Sequence, residues 1–360
     1  MSRTFKATGV ATIMGINTDA VRRATDESSI DVARQESGPK TRTYTPNNIY
    51  ELAHWRFQKK SLAPAKRPVV MTIYAPKGGV GKSTIASNLA CILPLMGLKT
   101  LVIDLDFQSN LTLAFGYDSE LSHEEAKEDG IPVNQCVDHH FGSLFNQWPN
   151  GKKTLDEVIK MPYGPFGPHL IPSDVSLDNL DTIMTFEALN SRNSTSMISK
   201  MLTEGRSGKN PDIDLSSYDV IMFDAAPAKN RMTRSALLAS DYVVAPISLE
   251  KFSTKAISYL SMVLKEMKEE SGRCPELIIV GNFFDLNRTR VLNQTAMIRK
   301  AYNEAWLDAI IRRSEDFPKM LSSDSHELPL CLAKPSSPGA EDLRKVARDL
   351  MIRMGVLDET

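Results

Sequence analysis

The sequence predicts an α/β fold, a mostly parallel sheet with helices on both faces, preceded by a small helical domain. Three observations carry this. Short, continuous apolar runs rich in Val and Ile recur after residue 68, as strands buried on both faces require. Helical patterns lie between several of them, the alternation of a sheet covered on both sides. A proline-bearing stretch without periodicity separates these runs from a basic N-terminal segment.

Taken in order, residues 8–15 are short and semi-apolar. Asn17-Thr18-Asp19 then offers N-caps for a helix carrying Val21, Arg22, Arg23 and Ala24. Residues 34–42 hold Gly38-Pro39 and the basic Arg34, Lys40 and Arg42, and a second helix begins near Pro46. Residues 61–68, with Pro64 and Pro68, read as a linker, so the expected division is a head of 1–60, a linker of 61–68 and a body of 69–360. Strands are expected at 69–74, 100–105, 169–171, 220–223, 242–247, 277–280 and 309–311. Ile85, Leu89, Ile92 and Met96 recur on one stripe of a helix after the first strand.

With 42% hydrophobic and 24% charged residues in 360, the composition is that of a water-soluble globular chain. No run approaches the roughly 18 apolar residues of a membrane span, and no apolar signal core opens the sequence, so a cytoplasmic protein is expected. Cys91, Cys136, Cys274 and Cys331 lie far apart, which argues against a disulfide framework, a zinc site or a cluster-binding enzyme. Cys136, His139 and His140 are read as loop. Charge is divided unevenly. Residues 1–68 carry 12 Lys/Arg against 6 Asp/Glu, and the remainder carries 31 against 38. A basic head on an acidic body suggests a polyanion partner, although charge alone leaves a solvated basic tail equally open.

Lys77-Gly78-Gly79-Val80-Gly81-Lys82-Ser83-Thr84 follows the first strand and opens the first amphipathic helix, the context a phosphate-binding loop needs. Glycines let the backbone aim successive N–H groups at one anion, and the helix N-terminus adds its dipole. Lys82 would bridge the β- and γ-phosphates of ATP, and the Ser83 hydroxyl would hold Mg²⁺. Leu101-Val102-Ile103-Asp104-Leu105-Asp106 ends the second strand with two carboxylates, and residues 220–223 lead into Asp224.

Pro76 stands where the ordinary loop has its first Gly, and Lys77 follows it. This KGGxGK[ST] form resembles the deviant Walker A motif of the ParA/MinD group of ATPases. The resemblance spans most of residues 68–356 and implies a weak ATPase that closes a homodimer around ATP. It makes Lys77 the signature lysine reaching the partner's nucleotide, Asp106 the residue that positions water, and Asp224 a Walker B ligand of Mg²⁺, through water. Asn282 is similar to the group's adenine-contacting asparagine. Phe107 and Ala225-Ala226 depart from the usual D-x-D-P-Q and T-P-P patterns.

Arg42-Thr43-Tyr44-Thr45 through Ile49 to Leu52 resembles part of a MerR-like winged helix-turn-helix, a module that larger partition ATPases carry. On that resemblance, Arg22 and Arg23 contact base edges or phosphates, while Arg34, Lys40 and Arg42 grip the backbone. Arg288, Arg290, Arg299, Lys300, Arg312, Arg313 and Lys319 are candidates for non-specific DNA contact. The function implied is ATP-dependent DNA partition by a nucleoid-associated protein. A centromere-binding ParB-type partner would stimulate hydrolysis, and the protein could also repress its own operator. Deleting the head is expected to spare ATP-dependent binding to arbitrary DNA. An ATP-tuned transcription regulator shares every motif. A MinD-like membrane-cycling ATPase would need a free amphipathic C-terminal helix, whereas the stripe of Leu343, Val346, Leu350 and Met354 is expected to close a core.

Overall fold

In the computed structural model all seven apolar runs are strands. Residues 3–35, 38–60, 67–190, 197–248, 253–285, 289–317 and 328–358 are described. Most of the expected linker, together with Arg288 and Lys319, lies outside them. The strands are β1 (Val69–Ile73), β2 (Thr100–Leu105), β3 (His169–Ile171), β4 (Val220–Ala225), β5 (Tyr242–Ile247), β6 (Glu276–Phe284) and β7 (Trp306–Arg312). They pair in the order β3-β2-β4-β1-β5-β6-β7, every pair parallel. Burial on both faces explains why β1, β2, β4 and β5 have no exposed position. Carboxyl ends of parallel strands share one edge, so Asp104 and Asp224 sit side by side as register partners.

Before the sheet come α1 (Ala7–Met14), α2 (Thr18–Glu27) and α3 (Pro46–Lys60). Asn17 caps α2, its side chain accepting from Ala20 N at 2.7 Å. Antiparallel bridges join Phe5 to Tyr44 and Arg34 to Arg42, so the chain between α2 and α3 returns as a short ribbon. After β1 come α4 (Lys82–Leu95) and, beyond β2, α5 (Asn110–Ala114).

The head is not a bead on a string. Val10, Ile13, Val21, Tyr44, Ile49 and Leu52 belong to the same hydrophobic cluster as Ile85, Leu89 and Ile92 of α4. Tyr50 Oη donates to the Cys91 carbonyl at 3.0 Å. The Tyr50 ring stacks on Tyr163, and His54 on Phe166 with centroids 4.0 Å apart. A Cβ on Gly97 would meet Phe57 at 2.9 Å, so the turn after α4 lies flush on α3. A linker in sequence had suggested a separable head, but the apolar faces of α3 and α4 bury each other.

At the other end of the chain, Leu343, Val346 and Leu350 of the helix Pro338–Arg353 and Met354 at its C-cap are each fully buried. This stripe closes the core. No helix among the described residues is long and apolar enough to cross a membrane.

Candidate functional site

The loop between β1 and α4 turns on two glycines in the left-handed region, Gly79 at φ 71° and Gly81 at φ 84°. A side chain is disfavoured at that backbone conformation, and Gly81 has a second constraint: a Cβ there would run into the Asn282 amide nitrogen, with the Phe283 ring next at 3.2 Å. Gly81 is also the N-cap of α4, so the loop's amides and the positive end of the helix converge. They open on a cavity of about 600 Å³ lined by Gly78, Gly79, Gly81, Lys82, Ser83 and Thr84. Asp106, Phe107, Gln108 and Ala226-Pro227-Ala228 form one wall, and Leu328-Pro329-Leu330 another. The size suits a nucleotide. That last wall carries no motif and was not expected from sequence.

Lys82, Asp106 and Asp224 meet here although 142 positions separate the first from the last. Lys82 and Asp106 are each 7% exposed and Asp224 is 1% exposed. Burial lowers the pKa of Lys82, and the neighbouring Asp224 and Asp106 oppose that shift. Burial, then the adjacent Asp104, push Asp224 well above the ordinary carboxylate range, while Ser83 and Lys82 pull it back. Neither Asp224 oxygen makes a hydrogen bond of ordinary geometry. A buried carboxylate so placed beside a serine hydroxyl is half of a donor set, and a hard divalent cation with its waters completes it. The residues present therefore fit Mg²⁺. Asp106 Oδ1 accepts from Gln108 N at 3.0 Å, which fixes the carboxylate's direction. Asp104 has another task. It is fully buried and raised to about 7 by burial, with hydrogen bonds from Thr112 and the Asp106 amide opposing.

One expected contact is engaged differently. Asn282 is 1% exposed; its amide donates to the Val80 carbonyl at 2.8 Å and its Oδ1 accepts from Phe283 N at 3.0 Å. It holds the phosphate loop against β6, which leaves one amide hydrogen for a purine rather than a free edge. Lys77 is half-buried at the start of the loop.

The basic residues also divide. Arg22 and Arg23 are exposed on α2, with Arg22 3.3 Å from Asp19. Arg34 donates to the Lys40 carbonyl at 3.1 Å, shaping the ribbon that holds both. Arg42 donates to Asp26 at 2.6 Å and fastens the ribbon to the end of α2, a structural tether. Arg312 is likewise held by Asp342 along one guanidinium edge, Nε and Nη2 each donating at 2.8 Å, so the carboxylate competes with a phosphate for that edge. Arg299 pairs with Asp308, and Arg313 is exposed. Among the described residues, no group of three His, Cys, Asp or Glu is placed to hold a metal ion by itself.

A profile of the AAA domain family matches residues 69–277. The chain is 26% identical over 284 residues to the chromosome-partitioning ATPase Soj of Treponema pallidum, covering 78% of this chain and 95% of that one. Its fold is similar to that of a plasmid partition protein from Borrelia burgdorferi B31 bound to AMPPNP, with TM-score 0.54, 22% identity, and coverage of 79% and 99%. It is also similar to cobyrinic acid a,c-diamide synthase from Mycobacterium smegmatis with bound ADP and magnesium, with TM-score 0.59, 17% identity, and coverage of 80% and 95%. At such identities the solved structures speak for the fold, which hosts more than one activity.

Proposed function

We propose that this chain, which belongs to the AAA domain family as a ParA-type P-loop ATPase, couples Mg²⁺-dependent ATP hydrolysis to the partition of DNA. The observation that carries the reading is the Asp224 carboxylate, buried without a hydrogen bond of ordinary geometry and close enough to Ser83 and Lys82 to feel both. Bound Mg²⁺ would neutralise phosphate charge. The loop amides of residues 79–84 and the start of α4 hold the phosphate oxygens. Lys82 places its charge against the β/γ-bridge, and Asp224 with Ser83 retains the metal. The free oxygen of Asp106 orients water toward the γ-phosphorus. Lys77, from a second copy, neutralises charge as the bond breaks. ATP thus closes a dimer, and hydrolysis reopens it.

In the same reading α1, α2, the ribbon and α3 form a winged helix-turn-helix with α2 in the major groove. That arrangement would suit a protein that represses its own operator while the ATP dimer binds arbitrary DNA in the cytoplasm, on the nucleoid. A centromere-binding ParB-type partner releases it by stimulating a slow intrinsic hydrolysis. The test is filter binding of random duplex with ATP, with ADP and without nucleotide, beside phosphate release. ATP-selective binding with Mg²⁺-dependent hydrolysis is expected; binding indifferent to nucleotide overturns the partition reading.

A further inference from the structure

The loop that carries Asp106 is held by bonds that the phosphate site itself does not use. Between Asp106 and α5 the chain passes through Ser109, whose φ of 53° places a side chain in the left-handed region. Such a conformation persists where the surroundings over-determine it. Here they do. Ser109 Oγ donates to the Ser173 carbonyl at 3.0 Å, just past the end of β3. Ser173 N donates back to Thr112 Oγ1 at 2.9 Å. Thr112 Oγ1 in turn donates to Asp104 Oδ2 at 2.7 Å, and Thr112 N reaches the same oxygen at 2.9 Å. The other oxygen, Asp104 Oδ1, accepts from the amide of Asp106 at 3.0 Å. Asp104, Thr112 and Ser173 are fully buried and Ser109 is 5% exposed. None of the four lines the cavity.

We infer that Ser109 and Thr112 are positioning residues for hydrolysis: together with Asp104 they latch the Asp106 loop to the end of β3 and hold its carboxylate at the angle from which it orients water. This inference rests on the ATPase reading above. Both oxygens of Asp104 are already engaged, so Asp104 serves the latch rather than the metal. The Thr112 hydroxyl donates once and accepts once, a pair of bonds that serine reproduces and valine does not. A carboxylate that must act at hydrogen-bond range is sensitive to small displacements of its backbone, whereas nucleotide affinity, set by the loop amides and Lys82, is not.

The experiment measures phosphate release at saturating ATP and Mg²⁺, and binding of a fluorescent ATP analogue, for the full chain and four variants. Thr112→Val should lower kcat by roughly tenfold to a hundredfold. Its nucleotide affinity should change by less than about twofold, the mark of an interaction made only in the transition state. Thr112→Ser should restore kcat. Ser109→Ala, which keeps the backbone and loses one tether, should move kcat in the same direction and supplies the test if Thr112→Val does not fold. Wild-type kcat in both Thr112→Val and Ser109→Ala, or equal losses of kcat and affinity, would overturn the latch. Asp106→Ala and the wild type separate the two levels: if Asp106→Ala hydrolyses like the wild type, the water-orienting role beneath the latch fails first, and if the wild type itself releases no phosphate the ATPase reading fails.

Discussion

Tyr50 Oη, on the third helix of the head, donates to the carbonyl oxygen of Cys91 in the middle of the phosphate-loop helix at 3.0 Å. The bond crosses from the N-terminal head to the body that carries the phosphate loop. Both partners are buried, and burial pushes the Tyr50 phenol well above its ordinary pKa, so it stays a donor at every relevant pH.

Removing residues 1–60 should therefore destabilise the body instead of leaving it intact. Deletion strips Ile49, Tyr50 and Leu52 from the cluster that holds Ile85, Leu89 and Ile92. Tyr50→Phe, which removes only the hydrogen bond, should cost about 0.5–1.5 kcal/mol. Thermal melting and gel filtration check both. A truncated body that melts with the full chain and stays monodisperse would show that this packing carries little energy.

Much of this was legible in sequence. Continuous apolar runs located the strands, most clearly β1, β2, β4 and β5, because strands buried on both faces leave no room for polar alternation. The phosphate loop was legible because all its parts are local. What escaped were contacts between distant residues. Arg42 and Arg312 each look like free cations until folding brings Asp26 and Asp342 to them. Asn282 looks like a strand-end amide until the Val80 carbonyl, 202 positions away, arrives above it. Ser109 and Ser173 carry no motif at all, and their bond exists because β2 and β3 are neighbours.

Lys82 and Asp106 should separate binding from hydrolysis. Lys82→Ala removes the buried cation and should lose about 1.5–3 kcal/mol of ATP affinity, as for a charge-assisted hydrogen bond. Asp106→Ala leaves the loop untouched and should bind ATP normally while hydrolysis falls roughly a hundredfold or more. Light scattering should then find the ATP-bound Asp106→Ala protein as a persistent dimer. Titration calorimetry and phosphate release measure the other two quantities, and a wholly monomeric Asp106→Ala with ATP would contradict the assigned roles.

Acid should weaken the fold through His140. Burial lowers its pKa, opposed by Asp174, and its Nδ1 accepts from Gly142 N at 3.0 Å, which requires a neutral ring. The unfolded ring, with a pKa of about 6.5, takes up protons first as pH falls. The stability from the neutral ring is thus fully present above about pH 6.5 and lost as pH drops through the lower folded value. Urea unfolding from about pH 7.5 to 5 should show a falling free energy whose slope shrinks in His140→Asn. His169, lowered in the same direction by burial, leaves a residual slope. An unchanged slope in the variant would remove His140 from the account.

DNA binding should divide between the head and the body. Arg22 and Arg23 are exposed on α2, the helix expected in the major groove, so alanine at either should cost about 1–3 kcal/mol at an operator if it reads a base edge. The same changes should leave random duplex nearly unaffected. Arg313→Ala should weaken all duplexes alike and reduce the salt slope by about one unit, the signature of a lost phosphate contact. Arg312→Ala should do so less, because Asp342 already holds one edge of its guanidinium; its stability loss should be about 1 kcal/mol at most. Arg42→Ala should lower operator affinity for a different reason, by freeing the ribbon from Asp26 and α2. Arg42→Lys, which can keep the ion pair, should recover much of it. Filter binding on the promoter duplex and on random duplexes, across a salt series with ADP and with ATP, resolves these cases. Equal losses for Arg22, Arg23 and Arg313 variants on every duplex would mean that the head contributes charge without sequence readout.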